Sequence, residues 1–302
     1  MLFRSTTALT ALSDQLADIV AQASAGVVRV EARRRMPASG IVWSADGHII
    51  TAHHVVHRDE KIQVGLPTGE TVAATLVGRD PSTDLAVLKA EASGLTPFTE
   101  VSKDKRGVGH LALALGRPGQ SVQATLGIIS ALGGEWRTPH GGQIERYLQT
   151  DVVMYPGFSG GPLVSAGGEL IGLNSSALLP GHSIAVPVPT LARVAEALLA
   201  HGRMRRGYLG ISTQRVRLPE SLVASLGQKR GLLVVSVEAG STAEQAGLTL
   251  GDTLITFNGQ AIQRHEDLVA QLAGDAVGQS VPVRIVRGGQ VQEMSVVVGE
   301  RP

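Results

Sequence analysis

The stretch YPGFSGGPLV, residues 155–164, places a serine in a setting that can hold a reactive hydroxyl. Ser159 is followed by two glycines and then by an apolar run that begins at Pro162. Glycines permit a tight turn that presents a side chain outward, but a flexible loop in a chain with 37 glycines can have the same composition. The stretch alone leaves both interpretations of Ser159 open, and the rest of the chain must decide between them.

The chain on both sides of this stretch is built from short apolar segments. From Val27 to about residue 187 they alternate with Gly, Pro, Asp and Asn, as in VVRVEA, SGIVWS, IITA, KIQVGL and TVAATLV. Many short strands with closely spaced turn signals favour antiparallel barrels or sandwiches over a sheet with crossover helices. We therefore predict that this region is mainly β.

Helical spacing marks both ends of the β region. Ser13 and Asp14 precede apolar residues at helical spacing and predict a helix that starts there. The stretch TLARVAEALLAHG predicts a second helix, with Thr190 as its N-cap and Gly202 as its stop.

A different pattern begins after the basic stretch RMRRG, which we interpret as a linker. Residues 207–302 mix strands such as GLLVVSV and VPVRIV with helical pieces near 243–246 and 266–272. We predict three parts: an N-terminal segment with a short helix over 1–24, a β domain over 25–202 and an α+β domain over 203–302.

Composition excludes several classes of protein. At 302 residues and 43% hydrophobic content, the chain can form packed interiors for about two domains. A formal net charge of +1 lacks the basic footprint of a nucleic-acid binder, and no apolar run reaches the ~18 residues that span a membrane. The absence of cysteine removes disulfides, thiolate metal sites and cysteine nucleophiles. The N-terminus shows no convincing signal peptide, which leaves a cytoplasmic location open.

A reactive Ser159 needs two partners. A serine hydroxyl is too weakly acidic to attack by itself and requires an imidazole base, which in turn requires an orienting carboxylate. The stretch IITAHHVVH places three histidines, His53, His54 and His57, at a strand end. DPSTDLAVLKA places Asp84 directly before an apolar strand. The chain order His, Asp, Ser is that of chymotrypsin-type barrels, and the signals are strong together.

These motifs resemble those of a known family. ITAHHVV, STDLAVLK, LGIISAL, LQTD and PGFSGGPLV…GELIGLN are similar to the HtrA (Deg) family of ATP-independent serine proteases. RRGYLGI, AGSTAEQAGLTLGDTLITFNG and VRIVRGG are similar to that family's PDZ domain. The resemblance runs from about residue 12 onward with the motifs in order. It implies a mainly β fold, with a chymotrypsin-like double β-barrel protease domain over 25–202 followed by an α+β PDZ domain over 203–302.

The resemblance also implies roles for particular residues. His54, the fourth residue of T-x-x-H, would be the general base. Asp84 in T-D-L-A-V would orient it, and Ser159 in G-x-S-G-G would be the nucleophile. The backbone N–H groups of Gly157 and Ser159 would form the oxyanion hole. No cofactor is expected.

We expect His53 and His57 to be polar neighbours of this site. A zinc site built on the three histidines is disfavoured, because no motif such as H-E-x-x-H accompanies them. The sequence therefore predicts no metal.

Phe158, directly before the serine, departs from the family pattern. Trypsin-like zymogens are switched on when a new N-terminal ammonium pairs with an Asp at this position, and the resembling family usually has Asn there. Phe158 cannot accept such a pair, so we do not expect activation by N-terminal trimming. Met154 and Tyr155 depart too, and all three changes leave the resting shape of the oxyanion loop open.

The predicted specificity pocket is apolar. In chymotrypsin-like barrels its floor lies about six residues before the serine, here Val153, with Met154 next to it and Tyr155 narrowing the entry. Because no carboxylate is present to pair with Lys or Arg, we expect cleavage after small or medium aliphatic residues. The segment 173–176, with Asn174, Ser175 and Ser176, is predicted to offer an edge for an extended substrate backbone.

In the PDZ region, YLGI matches the loop that captures a C-terminal carboxylate. We predict that Tyr208, Leu209, Gly210 and Ile211 bind the peptide end, with Ile211 starting the strand that the peptide joins. The opposite wall is predicted to be the helix with Leu268 and Leu272, although each could instead be a core residue. Partners ending in hydrophobic residues are implied, such as the exposed tails of misfolded proteins.

The predicted function is an ATP-independent serine endopeptidase for quality control of unfolded or misfolded proteins. The main alternative is a catalytically weak HtrA-like chaperone or peptide-binding adaptor. A small-molecule esterase is disfavoured because GGPLVS continues as a strand and not as a helix. Family resemblance further implies a homotrimer and a periplasmic or otherwise extracytoplasmic location.

Overall fold

The computed structural model describes residues 8–34, 36–98, 107–205, 207–272 and 276–301. The chain divides into two compact units, Met1–Met204 and Arg205–Pro302. Residues 1–7 of the predicted N-terminal segment lie outside the described residues. No helix in the described part of the chain has both the length and the apolar character needed to cross a membrane.

The first unit begins with helix α1, Ala8–Ala23, and a 3-10 turn, Ser24–Gly26. The predicted start at Ser13 is wrong, because the helix already includes Ala8 and the residues between are good helix formers. Its partly buried side chains Leu16, Ile19 and Val20 pack on a cluster that contains Leu115 and Val164. Both residues lie on strands of the second barrel of this unit, so the helix packs on that barrel.

The first six strands form a closed antiparallel barrel in the order β1-β2-β3-β6-β5-β4. Pairing of Val30 with Val64 closes it. A 3-10 turn, His53–Val55, follows the third strand. The strands are β1 Val27–Glu31, β2 Ala38–Val42, β3 His48–Ala52, β4 Ile62–Gly65, β5 Thr71–Asp80 and β6 Leu85–Ala90.

The next eight strands give a second closed barrel, in the order β11-β14-β13-β12-β7-β8, and one small hairpin, β9-β10. Their bounds are β7 Leu111–Gly116, β8 Gln123–Leu132, β9 Trp136–Arg137, β10 Gln143–Ile144, β11 Leu148–Thr150, β12 Pro162–Ser165, β13 Leu170–Ser175 and β14 Ser183–Pro187. The two six-stranded barrels confirm the prediction that this region is mainly β.

Helix α2, Val188–His201, ends the first unit. Its predicted stop is confirmed, since Gly202 is left-handed with a φ of 70° and donates its N–H to Leu198. The predicted N-cap is wrong. Thr190 lies inside the first turn, where its hydroxyl donates to Glu145, and Pro189 ahead of it suits a first turn because that position needs no N–H donor.

The second unit is an α+β fold around a sheet in the order β16-β17-β18-β20-β21, with β16 at one edge. Phe257 and Ile285 are fully buried in its core. The helical pieces predicted near 243–246 and 266–272 appear as α4 and α5. The elements are β15 Gly207–Tyr208, β16 Ile211–Arg217, α3 Glu220–Leu226, β17 Arg230–Val237, α4 Thr242–Gln245, β18 Thr253–Phe257, β19 Gln260–Ala261, α5 His265–Gln271, β20 Ser280–Arg287, β21 Gln290–Val297 and β22 Gly299–Glu300.

Candidate active site

Asp84 lies in the turn between β5 and β6 of the first barrel. The turn is built by Asp80, whose carboxylate accepts the backbone N–H and hydroxyl of Ser82 at 3.0 and 2.6 Å and the hydroxyl of Thr83 at 2.7 Å. Asp84 itself is left-handed, with a φ of 59°, a conformation that Asp tolerates better than most residues. Its side chain is buried at 4% exposure, so its carboxylate needs hydrogen-bond partners.

His54 and Ser175 supply those partners. The imidazole Nδ1 of His54 lies 2.8 and 3.0 Å from the two oxygens of Asp84, and the backbone N–H of His54 donates to Oδ1 at 2.9 Å. The hydroxyl of Ser175 donates to Oδ2 at 2.5 Å. A carboxylate on Nδ1 favours the tautomer with a proton there, which leaves Nε2 free to accept one. The pair is therefore arranged as a base held by a buried acid.

Ser159 follows a turn that the sequence Tyr-Pro-Gly-Phe dictates. Pro156 presets the first central position, and Gly157 has a φ of 92° at the second, as a type II turn requires. The N–H of Phe158 closes the turn on the carbonyl of Tyr155 at 3.0 Å. The hydroxyl of Ser159, 8% exposed, is 3.0 Å from the hydroxyl of Ser176, and among the described residues it makes no hydrogen bond to His54.

Two backbone donors of this turn are unused. Within the described residues, the N–H groups of Gly157 and Ser159 donate to no acceptor, whereas those of Phe158, Gly160 and Gly161 all do. Unpaired N–H groups beside a serine can stabilise negative charge on an oxygen that the serine has attacked. The geometry thus joins a base, an acid, a serine and an anion-binding pair.

Comparisons with known proteins agree with this geometry. Residues 38–173 match the trypsin-like peptidase domain family, and residues 207–298 match the PDZ domain family. The "Putative serine protease HhoB" of Synechocystis is 35% identical over 89% of this chain and 68% of its own length. The solved structure of "HtrA-type protease AlgW with decapeptide" is 30% identical, with a TM-score of 0.74, over 95% of this chain and 98% of that one.

The chain belongs to the HtrA family of serine proteases. Family membership confirms the predicted chymotrypsin-like double barrel and the PDZ domain. A "Probable periplasmic serine endoprotease DegP-like" of Chlamydia trachomatis is 35% identical over 91% of this chain but 56% of its own length. The chain thus spans little more than half of that HtrA relative.

Phe158 is the anchor of the serine turn in this HtrA chain. Its side chain is fully buried and meets the ring of Tyr155 edge-on, with centroids 5.8 Å apart at 78°. Gly116 leaves room for it, because a Cβ at that glycine would lie 2.7 Å from the ring. Apolar packing of Phe158 therefore supports the turn at the position where activated trypsin-like proteases use an ion pair.

The predicted pocket residues differ in their exposure. Its side chain is 54% exposed, and the neighbour that faces inward is Val152, at 2% exposure, in a cluster with Phe158. Met154 packs against that cluster, and Tyr155 is 53% exposed. Successive side chains of an extended segment point to opposite sides, so Val152 faces the core and Val153 faces outward, and the pocket role of Val153 stays a prediction.

The predicted substrate edge is also shorter than expected. Asn174 is 1% exposed, and its backbone already bonds Gly160 and Gly161 while its side chain donates to the carbonyl of Pro162 at 2.8 Å. The side chain of Ser175 is fully buried, and its hydroxyl donates to Asp84. Only Ser176, which is exposed, is open to a ligand. Strand pairing on both sides of β13 explains the difference, and sequence could not show it.

His53 and His57 lie beside the candidate triad and do not bond the carboxylate of Asp84 in the described residues. The ring Nε2 of His57 contacts the carbonyl of His54 at 2.9 Å. Burial lowers the pKa of His53 below its usual value, and the charge of Arg79 adds to this. Its Nδ1 has no partner in the described part of the chain, where no cluster suited to a metal ion is found either.

In the PDZ domain, the loop between β15 and β16 presents unused donors. Gly210 has a φ of 77°, and its carbonyl accepts from Glu238 at 2.8 Å while that of Leu209 accepts from Ala243 at 3.0 Å. The N–H groups of Leu209 and Gly210 donate to no acceptor in the residues described. The hydroxyl of Tyr208 bonds Glu238.

Three of the predicted peptide contacts of the PDZ domain have buried or half-buried side chains. Leu209 is 2% exposed, so only its backbone is available to a ligand. Leu268 on α5 is 3% exposed and belongs to the core, which favours the core alternative for this residue. Leu272 is half-buried at the end of that helix and packs on the same core. The residues of α5 with exposed apolar surface include Val269, at 44%.

Proposed function

We propose that this protein is an ATP-independent serine endopeptidase that cleaves unfolded or misfolded polypeptides. In this proposal residues 25–202 are the protease domain, residues 203–302 are the PDZ domain, and His54, Asp84 and Ser159 are the catalytic triad. The observation that carries it is the contact of 2.8 Å between the buried carboxylate of Asp84 and Nδ1 of His54, on the barrel that also supports the serine turn.

The residues act in a defined order. The hydroxyl of Ser159 rotates from Ser176 to His54, whose Nε2 takes its proton as the oxygen attacks the scissile carbonyl. The N–H groups of Gly157 and Ser159 bind the resulting oxyanion, a contribution of about 3–4 kcal/mol for each donor of such a pair. His54 then gives the proton to the departing amine. Water attacks the acyl group next, His54 takes the proton of that water, and His54 returns it to the oxygen of Ser159 as the acid product leaves.

The specificity proposed is for small or medium aliphatic residues before the cleaved bond. The apolar surroundings of the serine turn support this specificity. Met154 packs against the cluster that contains Val152, and the ring of Tyr155 is exposed. A substrate with Lys or Arg would leave a buried charge without a partner there. Sequencing of products from a peptide library checks this, and efficient cleavage after Arg or Lys would overturn it.

We also propose that the PDZ domain binds hydrophobic C-termini. The unused amides of Leu209 and Gly210 suit a terminal carboxylate, and β16 is an edge strand of its sheet, with which an extended peptide could pair. The related HtrA-type protease solved with a decapeptide supports peptide binding by this family.

A homotrimer in an extracytoplasmic compartment completes the proposal. The location rests on relatives described as periplasmic. Light scattering on the purified protein measures the oligomeric state, and a monomeric mass would contradict the trimer. Fractionation of cells that express the chain measures the location, and recovery in the cytoplasm alone would contradict the compartment.

Digestion of unfolded casein tests the central proposal. We expect the wild-type protein to cleave casein, the Ser159→Ala variant to be inactive, and a peptide with a hydrophobic C-terminus to raise the rate. Peptide binding without cleavage by the wild type would instead establish the chaperone or adaptor function.

A further inference from the structure

Ser39 on β2 contacts the serine turn at two carbonyls. Its hydroxyl donates to the carbonyl of Gly157 at 2.7 Å, and its backbone N–H donates to the carbonyl of Ser159 at 3.2 Å. The same hydroxyl oxygen accepts the backbone N–H of Arg117 at 2.7 Å. Ser39 is fully buried, so water does not compete for these bonds.

These bonds act on the peptide groups that flank the unused donors. The N–H of Gly157 belongs to a glycine with a φ of 92°, and glycine has little conformational preference of its own. A bond that holds its carbonyl limits rotation about its ψ, and the second bond holds the carbonyl of Ser159. A single residue of the first barrel thus orients the turn that the second barrel carries.

The surroundings leave the turn few other arrangements. A Cβ at Gly160 would lie 2.2 Å from the carbonyl oxygen of Ser39, and one at Gly161 would lie 3.1 Å from its Cβ. Arg117 is itself fixed, because its guanidinium donates to the carbonyls of Val27 and Ser24 at 2.7 and 2.9 Å. The acceptor and donor of the Ser39 hydroxyl are therefore both held in place.

We propose that Ser39 is a positioning residue of the oxyanion hole. It holds the amides of Gly157 and Ser159 in the geometry that binds the transition state, without touching the substrate. The inference rests on the proposed protease function. An oxyanion is bound more strongly than the ground-state carbonyl, so a loosened turn lowers kcat and leaves KM nearly unchanged.

The test compares Ser39→Ala with Thr190→Val in the full chain. Thr190 is a matched control, since it is also fully buried and its hydroxyl also donates one bond and accepts one, both with Glu145. For Ser39→Ala we expect kcat to fall about 10- to 100-fold with KM within about twofold, somewhat less than the loss of an oxyanion donor itself. A peptide aldehyde, which forms a tetrahedral adduct, should lose affinity by the same factor.

The control separates positioning from stability. Thr190→Val should lower the melting temperature to a similar extent with kcat unchanged. If Ser39→Ala lowers only the melting temperature and retains kcat and aldehyde affinity, the proposal is wrong.

A second variant, Ser39→Cys, serves if Ser39→Ala does not fold. Because a thiol is a weaker donor, we expect an intermediate kcat, and a wild-type kcat would count against positioning. Wild-type protein that neither cleaves casein nor binds the aldehyde would contradict the proposed function itself.

Discussion

At the scale of single residues, the carboxylate of Asp84 accepts three hydrogen bonds while the hydroxyl of Ser159 has one partner in the described residues. Asp84 accepts from His54 twice and from Ser175 once, so its orientation is determined in the resting protein. Among the described residues, the hydroxyl of Ser159 bonds only the exposed Ser176. The acid and base are preorganised, and the serine hydroxyl must rotate before it reacts.

Asp84→Asn tests the acid. Asn can accept a hydrogen bond from the backbone of His54, but its amide favours the His54 tautomer with the proton on Nε2. In that tautomer Nε2 cannot accept the proton of Ser159. We expect kcat to fall about 10⁴-fold with an unchanged fold, measured by peptide hydrolysis and circular dichroism. Ser175→Ala should lower kcat by a smaller factor, because two donors to Asp84 remain. A kcat within tenfold of wild type in Asp84→Asn would show that Asp84 does not orient the base.

Ser176→Ala tests the resting contact of the nucleophile. Removal of one hydrogen bond worth about 0.5–1.5 kcal/mol should free the Ser159 hydroxyl and speed its labelling by a fluorophosphonate by about two- to tenfold. Ser176→Thr retains the hydroxyl and should label at the wild-type rate. Slower labelling of Ser176→Ala would mean that Ser176 assists the reaction.

At the scale of elements, the serine turn depends on the end of strand β7. Gly116, the last residue of that strand, is adjacent to the buried ring of Phe158 and to the hydroxyl of Ser39. The strand therefore supports both the apolar anchor and the polar anchor of the turn.

Gly116→Ala should therefore disturb the turn. Its Cβ would lie 2.7 Å from the Phe158 ring and 3.1 Å from the Ser39 hydroxyl, and overpacking of this kind costs about 1–3 kcal/mol. We expect a lower free energy of unfolding in urea and a lower kcat. Gly119→Ala is the control, since nothing lies within 4 Å of a Cβ there. Equal stability of the two variants would mean that Phe158 can move aside.

At the scale of the whole molecule, the candidate site of the first unit is shared by its two barrels. The first barrel supplies His54, Asp84 and Ser39, and the second supplies the serine turn and Ser175. The second unit has its own core and its own ion pair with a buried carboxylate, in which the partly exposed Arg287 donates to both oxygens of Asp252 at 2.7 Å.

That ion pair predicts acid sensitivity of the second unit. Burial opposes the charge of Asp252, but the bonds from Arg287 outweigh it and lower the pKa of the carboxyl below 3.8. A depressed pKa stabilises the fold above the unfolded value and loses this contribution as pH falls through the folded value. By calorimetry, Asp252→Asn should cost about 1.5–3 kcal/mol at pH 7, with the difference from wild type shrinking below about pH 4. A difference independent of pH would contradict this.

Some features of the candidate site and fold could be predicted from the sequence, and others could not. The order His54, Asp84, Ser159 was readable because each residue stands in a local motif, and the stop at Gly202 was readable because only glycine suits that conformation. The sequence did not show the exposure of Val153, the core position of Leu268 or the starts of the two predicted helices. Those depend on the phase of side chains against neighbouring elements, which one segment cannot reveal.

The sequence by itself determined the family, the two-barrel and PDZ architecture and the residues of the candidate triad, because short motifs and glycine turns act locally. Only the tertiary structure decided which groups complete the site. Ser39 and Ser175 are distant in the chain from the residues they bond, Gly157 and Asp84. Their roles arise from strand pairing and barrel closure, since hydrogen bonds between distant segments exist only once the fold has brought them together.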